Sequence, residues 1–161
     1  RHCASNCKFI RIRMEEAVEN LIHLKRHLNS IEHMIYVSCK FTRTTEMLRK
    51  VMETIVTGYE NFFVIAFEMF SGSEMDSFSV QHRIQVLSDE LANKGIHIDL
   101  SDYFLLKRLL LSDFDSIGEY RKNLCMVSYI DGEEYVINMS KLLDFYGTLK
   151  DACNSLHEVR A

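Results

Sequence analysis

The sequence predicts an all-α protein: a helical bundle of about five helices, with a small β-hairpin inserted before the last one. Three observations point there. In Thr44–Phe70, apolar residues recur with a helical period over a stripe wider than one partner helix can cover. The 161 residues contain no proline, against an average usage of about 5%, which suits long uninterrupted helices. In the last third, Asp131–Gly132 separates two β-prone runs, a strong short-range hairpin signal. No repeat, low-complexity tract or boundary interrupts residues 1–161, which read as a single domain.

Taken in order, Phe9–Leu28 places Ile10, Met14, Ala17, Val18, Leu21, Leu24 and Leu28 on one face, the first amphipathic helix. The period continues through Ile31, Met34, Ile35 and Val37, so the helix extends to about Cys39, with Asn29–Ser30 as a place for a bend or a second cap. Lys40–Arg43 turns the chain into Thr44–Phe70, its antiparallel partner at the centre of the bundle. There Glu46, Lys50, Glu53, Thr57, Glu60 and Asn61 form one narrow polar face. Thr44 or Thr45 caps it and Glu46 suits its positive end. Gly58 sits in mid-helix at a cost of about 1 kcal/mol against alanine, which implies close approach by another helix.

After a polar connection at 71–78, Ser79 caps a helix with Val80, Ile84, Leu87 and Leu91 inward, ended by Gly95. Ser101 opens a fourth helix, from Asp102 to about Phe114. Its LLKRLLL segment is apolar on nearly all sides, as in mid-bundle. Strands near Leu124–Ile130 and Glu133–Met139 form the hairpin, and Ser140 caps the final helix, with Leu142, Phe145, Leu149, Cys153 and Leu156 inward.

A net charge of −4 argues against a protein wholly devoted to nucleic acid and leaves room for a local basic patch. No apolar run approaches the roughly 20 residues that span a bilayer, and Arg1-His2-Cys3 opens no secretory signal. Five scattered cysteines, an odd number, suggest reduced thiols and a cytoplasmic protein. There is no phosphate loop, dinucleotide fingerprint or GxSxG, so no cofactor is expected.

Among candidate sites, His23 and His27 stand one turn apart near Glu16 and Asn20, at metal-binding spacing but without a second cluster; a solvated helix face is the better reading. His2, Cys3 and Cys7 make an incomplete ligand set. The carboxylates Asp113, Asp115 and Glu119 suit a helix-ending turn. The most informative group is Glu119, Tyr120, Arg121, Lys122 and Asn123, a polar junction before the first hairpin strand, held by rigid scaffold on both sides. The bland reading pairs Arg121 with Glu119 or Asp115 at the surface. His33 and Tyr36, with Arg43 and Thr44 beyond, form a second polar set, for which a hydrogen-bonded core histidine and tyrosine is the ordinary explanation.

The run IEHMIYVSCKF at Ile31–Phe41, the following Thr42–Thr44 and the stretch EYRKNLCMVSYI resemble a group of uncharacterised archaeal helical-bundle proteins, which implies a bundle without implying an activity. A broader similarity is to HEPN-type bundles, some ribonucleases and others partners of nucleotidyltransferases. Arg121 or Lys122 with Asn123 stands at the basic and polar positions of the ribonuclease motif. Its histidine position falls at Met126, Val127 or Ser128, none of which does acid–base work, so the resemblance implies a degenerate site.

These readings converge on a non-enzymatic binding or interaction module, with candidate binding residues Arg121, Lys122, Asn123, Glu119, His33, Tyr36 and Arg43, and with no metal and no membrane. Its partner is expected to be a protein or a second copy, the homodimer forming through Phe62, Phe63 or Phe70 or through the hairpin edge. The alternative is a nucleic-acid-associated protein, with Arg43, Arg49, Lys50, Arg121 and Lys122 on phosphates. A third reading is an enzyme using Glu53, Glu60, His33 or Arg121 in an intra-bundle pocket.

Overall fold

A computed structural model of the chain describes residues 3–70 and 80–160. The elements are α1 (Cys3–His33), a π-helical stretch (Met34–Ser38), α2 (Cys39–Phe41), α3 (Thr45–Phe70), α4 (Val80–Asn93), α5 (Ser101–Leu111), β1 (Phe114–Ile117), β2 (Cys125–Ile130), β3 (Glu133–Ile137) and α6 (Met139–Arg160). The expected Ser79 cap, the 71–78 connection and His2 lie outside the described residues, as do the side chains of Cys3, Cys7 and Phe70. The molecule is mostly helical, and no helix among the described residues is long and apolar enough to cross a membrane.

Helix α3 is the hub: it packs against α1, α4, α5, α6 and β2. Leu48, Val51, Met52, Ile55, Tyr59, Phe62 and Ala66 are buried along it, and the predicted polar residues Glu46, Lys50, Glu53, Thr57, Glu60 and Asn61 are all exposed. Gly58 is where α3 meets two neighbours at once. A Cβ there would stand 2.7 Å from Leu149 Cδ2 on α6 and 3.4 Å from His27 Cδ2 on α1. The close approach inferred from that glycine is present.

The first helix is not interrupted at Asn29–Ser30. It stays α-helical to His33 and then widens into the π-helical stretch, which keeps Ile31, Ile35 and Cys39 buried at a strict spacing of four. An α-helix drifts off a four-residue repeat, and the wider turn removes the drift. His33, Tyr36 and Val37, off that line, face outward. The expectation of a core histidine and tyrosine is therefore corrected: both are exposed.

Helix α4 ends as predicted at Gly95, whose φ is +85°. Gly95 N–H donates to Ala92 O and Ile96 N–H to Leu91 O at 2.9 Å, the paired bonds of a Schellman motif, while Leu91 and Ile96 are buried together. Helix α5 begins at Ser101, where Asp99 Oδ1 accepts the Ser101 N–H at 2.9 Å. It stops at Leu111, short of Phe114. Only Tyr103, Leu106 and Leu109 are buried on it, and Leu111 is 89% exposed, so α5 lies on the flank of the bundle rather than in its middle.

The β part is larger than a hairpin. β1 adds to β2, giving an antiparallel sheet of order β1-β2-β3. The turn joining β2 to β3 is the predicted one, with Asp131 and Gly132 both at positive φ, as a two-residue type I′ turn requires. Asn138, not Ser140, caps α6: its Oδ1 accepts the Lys141 N–H at 2.9 Å. Phe62 is wholly buried, so it offers nothing to a dimer. The free strands β1 and β3 carry exposed Asp115, Glu133 and Glu134, charges that oppose edge pairing.

Candidate functional site

The entrance to α3 is closed by a residue 74 positions away in sequence. Glu119 Oε1 accepts the Thr45 N–H at 3.0 Å, the Thr45 hydroxyl at 2.6 Å and the Ser116 hydroxyl at 2.8 Å. These bonds, the Thr45 hydroxyl foremost, hold the Glu119 carboxyl below the usual carboxylate range. Thr44 supplies the local cap, its Oγ1 accepting the Met47 N–H. Glu119 is thus a tertiary cap, with its negative charge at the positive end of the helix.

The adjoining turn is fastened to the same place. Tyr120 N–H donates to Arg43 O at 2.7 Å, Arg121 N–H to Gly118 O and Leu124 N–H to Arg121 O. Gly118 has φ +75°, and a Cβ there would meet Asn123 Oδ1 at 2.9 Å and the Asn123 backbone at 3.3 Å. Glycine is required on both counts. Tyr120, at φ +65°, occupies a conformation that non-glycine residues seldom take.

Between this turn, the end of α2, strand β3 and the start of α6 lies a recess of about 360 Å³, lined by Arg43, Arg121, Lys122, Asn123 and Asn138 over a floor that includes Cys39 and Val136. Four of the predicted binding residues, Arg43, Arg121, Lys122 and Asn123, are brought together here. Glu119 stands behind them as the cap. His33 and Tyr36 line no part of the recess. Arg121 forms no ion pair with Glu119 or Asp115, unlike Arg49 with Glu53, Lys107 with Glu60 and Arg108 with Asp131. Arg43 gives its Nε–H to Lys40 O at 3.1 Å and has no carboxylate partner among the described residues.

Sequence reasoning placed Tyr120 in the polar junction but missed Asn138, Cys39 and Phe41; Phe41 and Tyr120, on the segments that flank the recess, are 87% and 78% exposed. The available signal was Phe41 itself, an aromatic residue at the end of a helical stripe with no inward position left to fill.

The other sequence candidates separate. Arg49 is committed to structure: it donates to Leu110 O at 2.7 Å, pairs with Glu53 at 3.5 Å and lies 5.7 Å from the Phe114 ring centroid. His27 is not merely solvated: it is half-buried. Its Nε2–H donates to Thr54 O at 3.0 Å, while His23 is exposed. No cluster of three metal-ligating side chains occurs among the described residues. Glu53, Glu60, His33 and Arg121 do not share a pocket. Glu60 borders a separate groove of about 570 Å³ with Phe63, Phe67 and Tyr103, where it accepts from Tyr103 OH at 3.3 Å and pairs with Lys107 at 3.8 Å. A third hollow, of about 280 Å³, lies between α1 and α6.

Neither a protein-family model, nor a curated protein, nor a solved structure matches this chain.

Proposed function

We propose that the protein is a non-enzymatic binding module whose working surface is the recess at the entrance to α3, and that its ligand there is anionic. One observation carries this reading: Arg43, Arg121 and Lys122 surround a recess without a carboxylate partner among the described residues, in a chain whose net charge is −4. Cations in an acidic protein ordinarily meet carboxylates, and Glu119, the nearest in sequence, is spent on Thr45 and Ser116. Because that carboxylate already covers the helix end, an anion is held by the side chains and not by the helix dipole. The amide of Asn123 and the NH2 of Asn138 add neutral donors. The π-helical stretch leads directly into Cys39 and Arg43, and such irregularities often accompany functional sites. The free thiols of Cys39, Cys125 and Cys153 support a reducing compartment, the cytosol.

The test is binding of end-labelled inorganic polyphosphate at low and high salt, to the native chain and to the triple variant Arg43→Gln/Arg121→Gln/Lys122→Gln. The native chain binds with a salt-sensitive affinity and the variant loses most of it. No binding by the native chain, or equal binding by both, overturns the proposal.

A further inference from the structure

We infer that the ligand of this recess is single-stranded nucleic acid, its phosphates on Arg43, Arg121 and Lys122 and its bases stacked on Tyr120 and Phe41. The inference rests on the anionic-ligand reading above and deepens it. Among the described residues, Phe41 and Tyr120 are the two most exposed aromatic side chains. They sit on the two chain segments joined by the Tyr120 N–H to Arg43 O bond, beside the same cations. Tyr120 is held there against its backbone preference, at φ +65°, by that bond and by the turn closed at Gly118. Two such rings on adjoining segments, next to cations without carboxylates, form a surface on which flat apolar faces can stack. Basic side chains tracking a backbone, interleaved with aromatic rings that receive bases, are the combination by which single strands are bound without sequence readout.

Other occupants fit less well. In a duplex the base faces are already stacked, which leaves the two rings idle. An acidic peptide would satisfy the cations and leave the rings bare. A second copy docking the same face about a two-fold axis would bring Arg43, Arg121 and Lys122 against their own equivalents, like charge on like.

The experiment is fluorescence anisotropy with fluorescein-labelled oligouridine, with a duplex oligonucleotide, polyglutamate and inorganic polyphosphate as competitors. The proteins are the native chain, Tyr120→Ala, Phe41→Ala and Tyr120→Phe, each checked by its melting curve. Tyr120→Ala and Phe41→Ala are expected to weaken oligouridine binding by about tenfold each, the size of one lost stacking contact, while polyphosphate binding is unchanged. Tyr120→Phe, which keeps the ring, retains affinity. Three phosphate contacts give a log–log salt slope of about −2 for a single strand. If polyphosphate binds but neither alanine variant changes oligouridine affinity, the nucleic-acid inference falls and the anionic site stands. If the duplex or polyglutamate competes more strongly than the single strand, the inference also falls. If neither oligouridine nor polyphosphate binds, both readings fall together.

Discussion

Replacing Gly58 tests the packing at the centre of the bundle. A Cβ on residue 58 stands 2.7 Å from Leu149 Cδ2, closer than carbon atoms tolerate. Leu149 is wholly buried, so its methyl group can move only into other packed atoms. Two terms oppose each other in Gly58→Ala. Helix propensity favours alanine by about 1 kcal/mol, and over-packing costs about 1–3 kcal/mol. The net change runs from neutral to a loss of about 2 kcal/mol. Gly58→Leu pushes further into the same methyl group, and the loss rises to about 3 kcal/mol. The informative background is Leu149→Ala, which alone costs about 2–5 kcal/mol but removes the clashing atom. The closest remaining contact is then His27 Cδ2 at 3.4 Å, ordinary van der Waals distance. In that background Gly58→Ala becomes stabilising by about 1 kcal/mol, because only the propensity term survives. Urea unfolding followed by far-ultraviolet circular dichroism measures all of these from the shift of the midpoint at constant slope. Equal effects of Gly58→Ala in both backgrounds, or an unchanged midpoint for Gly58→Leu, would refute the reasoning.

The tertiary cap carries a pH signature. Glu119 titrates below its usual range when folded, so its stabilisation is fully present above that range and is lost as pH falls through the folded-state value. The melting-temperature gap between the native chain and Glu119→Gln should be widest near neutral pH and close in acid; a gap independent of pH contradicts the cap. Tyr59 is wholly buried and its hydroxyl has no partner among the described residues. Tyr59→Phe therefore removes an unmet desolvation cost of about 1–3 kcal/mol and should leave stability equal or higher, whereas a loss beyond about 1 kcal/mol in urea unfolding would show that the hydroxyl is used. Burial pushes the Cys153 thiol up to about 12 and raises that of Cys39 as well, while Cys125 is partly exposed. Peptide mapping after brief alkylation should find Cys125 labelled well before those two, and equal labelling in the native state would contradict their burial.

What could be read from the sequence was whatever a local pattern encodes. The stripe of α3, Gly58, the Schellman glycine Gly95 and the Asp131–Gly132 turn each announce themselves within a few residues, and each is where it was expected. Strand β1 was not legible, because Phe114–Ile117 contains only two apolar residues and its extended form comes from pairing with β2. The end of α5 was misplaced for the same reason: Leu111 continues an apolar run but packs on nothing. His33 and Tyr36 went astray because the run around them is apolar, yet at 3.6 residues per turn neither shares the face of Ile31 and Ile35, and both are exposed. In the candidate site, the cations were visible as a cluster before β2. Glu119 as the cap of a helix 74 residues earlier was not, since nothing local marks a carboxylate as a long-range acceptor. Asn138 displaced Ser140 as the α6 cap because the helix starts at Met139.

Backbone amide mapping by nuclear magnetic resonance, with unlabelled oligouridine added to the nitrogen-15-labelled chain, tests the central claim most directly. The claim requires the shifted amides to gather at Lys40–Thr45, Gly118–Cys125 and Asn138–Lys141, the segments that build the recess and its cap. Shifts gathered instead around the groove of Glu60, Phe63, Phe67 and Tyr103, or none at saturating oligouridine, would contradict it.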